Sequence, residues 1–182
     1  MMTEITYTIK NIFITLNLMF VTTVSVGQIT ISSVKLGDLR INMPIDSVNK
    51  FLETKIKLKN YKKENEVKYD TVRTTYKDLA IRLIFVNYFD FLDRKQIIEV
   101  KKIFTDDNKI STKSGIKIGD NKFDIVQKLD GNNLSLEPDR EKGKQYSTLI
   151  LLDTTAETML TFHFKDNMLF AIELEPMYEY DC

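Results

Sequence analysis

Acid–base or metal chemistry in this chain would have to be built around one histidine, His163, and a few carboxylates that stand close together in sequence. A histidine serves as general base, metal ligand or proton shuttle only when partners sit at defined distances from it. Asp90 with Asp93, and Asp106 with Asp107, could in principle hold a cation. A calcium loop alternates its acids and places a glycine after them, and neither pair does so. Both pairs lie among turn-forming residues, where an aspartate side chain bonds nearby backbone. Gly119 is isolated, so it suits a backbone corner better than a phosphate cradle. The single cysteine, Cys182, permits no intrachain disulfide; it reads as an inert thiol or as one half of an intermolecular bridge. These residues point to no catalytic set, no metal site and no cofactor.

Charge narrows the partners. Lysine plus arginine and aspartate plus glutamate both number 26, for a net charge of zero. Nucleic-acid binding draws on an excess of positive charge to displace counterions, so no nucleic-acid partner is expected. The one basic run, residues 55–63, alternates lysines with Ile56 and Leu58 and reads as a half-buried strand with a solvated lysine face. The acidic stretch 173–181 reads as a solvated tail.

The elements that must position any site repeat along the chain. Ile41 matches Ile118, Tyr69 matches Tyr146, and Leu83 with Phe85 matches Leu160 with Phe162, all 77 positions apart. Asn42 and Gly119 occupy the same place between a strand and a helix, where positive φ is tolerated. Pro44 suits a first helical turn, and Asp120 or Asn121 can cap the second helix. Ile45, Val48, Phe51 and Leu52 share one helical face, as do Phe123, Val126 and Leu129. Near the second copy's end, a three-residue loop at 165–167 would pair Phe164 with Met168 and Phe162 with Phe170. The reading is an α+β fold of two tandem repeats, 34–105 and 110–180. Each copy is a short helical element packed on an antiparallel sheet of about four strands.

Residues 11–26 carry no charge, are apolar apart from Asn and Thr, and follow Lys10; Ser25 and Gly27 are small residues at the spacing a signal peptidase accepts. This is a secretory signal over 1–27, with Gln28 as the new N-terminus. A buried strand is the alternative. Export to the periplasm or the medium follows from the signal reading, and no transmembrane span remains after it is removed.

The Ile118–Gly119 corner, the helix holding Val126 and Leu129, and the phenylalanine-rich hairpin together resemble the repeat of the β-lactamase inhibitor proteins and of the small outer-membrane assembly lipoprotein. That resemblance spans roughly 34–180 and implies a protein-binding role on an exposed sheet face. The alternation places Arg82 and Ile84 in the first copy, and Thr161 and His163 in the second, on that face. The competing reading is a small-ligand carrier or cryptic hydrolase with a pocket between the repeats.

Overall fold

Alternating apolar and polar side chains shape most of the molecule. The computed structural model describes residues 29–58, 67–138 and 142–177, and it is mostly β, 53% strand against 8% helix. Three short strands come first: β1 (Thr30–Ile31), β2 (Lys35–Leu36) and β3 (Leu39–Arg40). Helix α1 (Ile45–Val48) precedes the long strands β4 (Lys68–Tyr76), β5 (Leu79–Asp90) and β6 (Lys95–Thr105). After β7 (Ser111–Thr112) and α2 (Lys122–Lys128) come β8 (Leu134–Pro138), β9 (Tyr146–Asp153), β10 (Thr158–Lys165) and β11 (Met168–Pro176). The long strands form one seven-stranded antiparallel sheet in the order β4-β5-β6-β11-β10-β9-β8. The short ones form a mixed sheet, β3-β2-β1-β7, in which β1 and β7 run parallel.

The expected α+β fold, with a helix on a separate sheet of about four strands in each repeat, does not form. The helices have four and seven residues, too few to cover a sheet. More decisively, β6 pairs with β11, Thr105 opposite Ile172 and Ile103 opposite Leu174, so both halves share one sheet. Two separate sheets would leave the edges of β6 and β11 as rows of unpaired N–H and C=O groups; fusing them satisfies both. The helix-on-sheet unit implied by the family resemblance is therefore absent. The small sheet, the two short helices and the segments between them share the cover over the apolar face. Ile31, Leu36 and Leu39 join Val48 and Ile125 of the helices against Leu83, Phe85, Ile103, Leu160, Phe162 and Leu174.

The corners before the two helices are built alike. Asn42 (φ 60°) and Gly119 (φ 94°) are both left-handed. The Asn42 N–H donates to the Val100 carbonyl of β6, and the Gly119 N–H to the Leu169 carbonyl of β11, each at 2.8 Å. Pro44 then bridges to Glu99 and Asn121 to Met168. Asn121 caps α2, its side chain accepting from the Phe123 N–H at 2.9 Å. Pro44 stands at the cap position itself, one place before the first turn. Tethered to β11 at its start, α2 turns Ile125 inward, while Phe123 and Val126, expected inside, face solvent. Replacing Asn42 by valine should cost about 1–2 kcal/mol, because a β-branched residue resists the left-handed region, and replacing it by glycine should cost close to nothing. Urea denaturation of both variants measures the difference.

The β10–β11 hairpin closes tighter than expected. Its loop is two residues, Asp166 and Asn167, both left-handed at φ 50° and 62°, so Lys165 stands opposite Met168. Two positive φ values are what a type I′ turn requires, and that turn matches strand twist better than a wider loop. The register then shifts between His163 and Phe164, which leaves Phe170 as an extra residue. In the basic run, Ile56 is buried and its lysine neighbours are exposed, as alternation demands. Residues 55–58 nevertheless form no strand. The side chain of Asn49 takes both backbone groups of Ile56 instead, at 2.7 and 3.0 Å. The signal segment 1–27, Cys182, the rest of the basic run and the end of the acidic stretch lie outside the described residues.

Candidate functional site

The second face of the large sheet carries a different population of side chains. Because strand residues alternate, Ile84, Phe104, Ile150, Leu152 and Met159 point away from the core cluster, and none belongs to it. Register aligns one row across six strands: Arg73, Arg82, Phe104, Glu173, Thr161 and Ile150. A neighbouring row holds Ile84 opposite Lys102, and another holds His163 between Ala171 and Thr148.

Aromatic rings connect these rows. The Arg82 guanidinium lies 4.0 Å from the Phe104 ring centroid, within reach of a cation–π attraction. His163 stands 6.1 Å from Phe104 and 6.2 Å from Phe170, and Phe170 stands 6.1 Å from Tyr146. Lys165 closes the series 5.8 Å from the Tyr146 ring. Beneath them, His163 Nε2 is 3.0 Å from Glu173 Oε2, and Lys102 Nζ lies 3.5 Å from Glu173 and 2.5 Å from Glu175.

Of the four residues that alternation assigned to this face, Arg82 and His163 flank the same ring and are brought together by it. Ile84 sits one row away, half-buried. Thr161 lies in the central row but is buried, and its hydroxyl has no hydrogen-bond partner, so it offers nothing to a partner from solvent. Alternation carried through β6 and β11 puts Phe104 and Glu173 on one face of their own strands, but only the β5–β6 and β6–β11 pairings place them between Arg82 and His163. Phe170 could not be found from alternation at all, because only the register shift turns it onto this face.

Burial alone would raise the Glu173 carboxyl. The hydrogen bond with His163 and the charge of Lys102 outweigh that, and it sits below its ordinary value of 4.5. A carboxyl depressed in the folded state stabilises the fold above its unfolded pKa, and the contribution disappears as pH falls through the folded value. Urea midpoints taken from about pH 6 to about pH 3 should therefore decline, and Glu173→Gln should make that decline shallower.

The clustered carboxylates are turn builders. Asp90 Oδ1 accepts from the N–H groups of Leu92 and Asp93 at 2.9 and 3.2 Å. Asp107 accepts from Ala80 and Lys109, both at 2.9 Å. Among the described residues, no three histidine, cysteine, aspartate or glutamate side chains come together as metal ligands, and no helix is long and apolar enough to cross a membrane. The cavity between the two halves measures about 160 Å³ and is lined by Arg40, Asn42, Glu157 and Pro176 among others, with Glu157 its single acid. Neither a protein-family model, nor a curated protein, nor a solved structure matches the chain.

Proposed function

We propose that the chain is an exported protein-binding module and that the outer face of its seven-stranded sheet is the binding surface. The observation that carries this is the cross-strand pair Arg73 and Arg82, followed in the same row by Phe104. Like charges directly opposite each other on a sheet destabilise it, so the juxtaposition of Arg73 with Arg82 costs the fold something, although Arg82 also stacks on Phe104. A partner presenting a carboxylate would be drawn to two adjacent guanidinium groups. The aromatic series from Phe104 to Tyr146 supplies the apolar area that interface hot spots use. Export rests on the apolar stretch at 11–26.

The test is capture of partners by the full chain, followed by affinity measurement with Arg82→Ala combined with His163→Ala. Circular dichroism should show the fold retained, because Lys102 still pairs with Glu173. Partner affinity should drop at least about tenfold, the loss expected when a charged and an aromatic contact are both removed. Unchanged affinity would exclude this face.

A further inference from the structure

The β5–β6 hairpin carries its turn beyond the rest of the large sheet. β4 runs beside β5 only as far as Lys68 opposite Asn87, and β11 runs beside β6 only over Ile103–Thr105. The end of the hairpin therefore projects past the described strands on either side. From Asn87 to the turn the projection measures about 10 Å, at the usual rise of about 3.3 Å per strand residue.

Phe91 and Leu92 stand at its tip, 58% and 96% exposed. A single exposed apolar residue is ordinary. Turns, however, are normally built from glycine, proline, asparagine, aspartate and serine, and here two large apolar neighbours occupy one. Folding buries almost none of Leu92, so core packing does not account for it. The turn holds both side chains outward. Asp90 Oδ1 accepts from the N–H groups of Leu92 and Asp93, and Arg94 takes a left-handed φ of 49°. The Phe89 ring meets that of Phe91 edge-on, with centroids 5.3 Å apart. Asp93 pairs with Lys95 at 2.5 Å, and residues 90–95 hold two acids and two bases, so the tip has no net charge.

We propose that this tip docks the protein reversibly on a lipid bilayer, with Phe91 and Leu92 entering the boundary between headgroups and acyl chains. Three features favour a bilayer over a pocket in another protein. The tip is convex and its height matches the depth of about 5–10 Å to which interfacial elements sink. Two of its N–H groups are already satisfied by Asp90, which lowers the cost of carrying backbone donors into an apolar medium. Arg94 and Lys95 have long apolar stems that leave their charges among the headgroups, and Lys95 neutralises Asp93. The docking uses neither Arg82 nor His163, so it stands apart from the sheet-face reading.

The chain contains no tryptophan, so Leu92→Trp installs a single reporter that reads the tip alone. With phosphatidylcholine vesicles its emission should move to shorter wavelength and be quenched by lipids brominated on the acyl chain. Half the shift should require on the order of millimolar lipid, weaker than the anchoring a single acyl chain gives. Adding Phe91→Asn should raise that lipid concentration at least about fivefold, since less apolar surface leaves water. Phosphatidylglycerol in the vesicles should change it by less than about threefold, because the tip is neutral. Leu136→Trp, at another exposed leucine on the edge strand β8, should show no shift. Emission that stays in place at the tip, an equal shift from Leu136→Trp, no effect of Phe91→Asn, or a shift seen only with phosphatidylglycerol would each overturn the proposal. So would a captured protein whose binding depends on Leu92 while vesicles bind nothing. Should Leu92→Trp not fold, flotation of the unaltered chain against Leu92→Asn decides, and equal flotation overturns the proposal.

Discussion

Phe162→Ala is expected to lower folding stability by about 3–5 kcal/mol, the range for emptying a buried aromatic site. Phe162 is fully buried and stands between Leu149 of β9 and Ile172 of β11, at the centre of the second meander. Removing the ring forfeits its burial and leaves a void that strands hydrogen-bonded on both sides cannot collapse to fill. Phe85 is equally buried on β5, and its alanine variant should lose a similar amount. Leu92, 96% exposed at the tip of the β5–β6 hairpin, is the control. Its alanine variant should change stability by no more than about half a kcal/mol. Urea denaturation followed by far-ultraviolet circular dichroism separates these outcomes. A Phe162 variant indistinguishable from the Leu92 variant would mean that the faces of β10 are assigned the wrong way round.

Gly37→Ala should be nearly as damaging, although it adds a single methyl group. Gly37 turns the chain between β2 and β3 at φ +56°, and a Cβ built there would stand 2.5 Å from the Tyr76 hydroxyl and 2.8 Å from its ring. The tyrosine cannot move aside cheaply. It is fully buried, its hydroxyl donates to Asp38 Oδ2 at 2.7 Å, and it accepts from the Asp38 N–H at 2.9 Å. Left-handed strain of about 1 kcal/mol and overpacking of about 1–3 kcal/mol together give about 2–4 kcal/mol. Pairing Gly37→Ala with Tyr76→Phe tests the cause. The phenylalanine variant loses the Asp38 hydrogen bonds but removes the closest clashing atom, so the double variant should be more stable than the two separate losses predict. Strict additivity would remove the clash as the explanation.

Local pattern was legible wherever a single strand or turn decides the outcome. Leu160, Phe162 and Phe164 alternate with Thr161 and His163 in sequence, and they face opposite sides of β10 in the structure. Asn42 and Gly119 were legible as corners because few residues tolerate positive φ. What could not be read depended on pairing between distant segments. The β6–β11 contact joins residues about seventy positions apart, and no periodicity within either segment encodes it. It alone turns two expected sheets into one. The inward face of α2 was misplaced for a related reason. Four residues of apolar spacing suggested Phe123 and Val126, but the backbone bonds of Gly119 and Lys122 to β11 set the rotation of so short a helix. For the candidate site, Arg82 and His163 followed from alternation. The ring of Phe104 between them required knowing that β6 is the neighbour of β5 on one side and of β11 on the other.

That one long-range junction also orders the assembly of the large sheet in time. Every other neighbouring pair of strands in it is a hairpin, formed from segments that meet without a wide search, so loop-closure entropy is concentrated in a single docking step. During synthesis the β4–β6 meander is complete well before β11 leaves the ribosome. The backbone groups of Ile103–Thr105 must then wait without their final partners, and an open strand edge of this kind is where a nascent chain mispairs with its neighbours. Lys101 and Lys102, immediately beside that waiting edge, supply the charge that discourages such pairing until the second meander arrives.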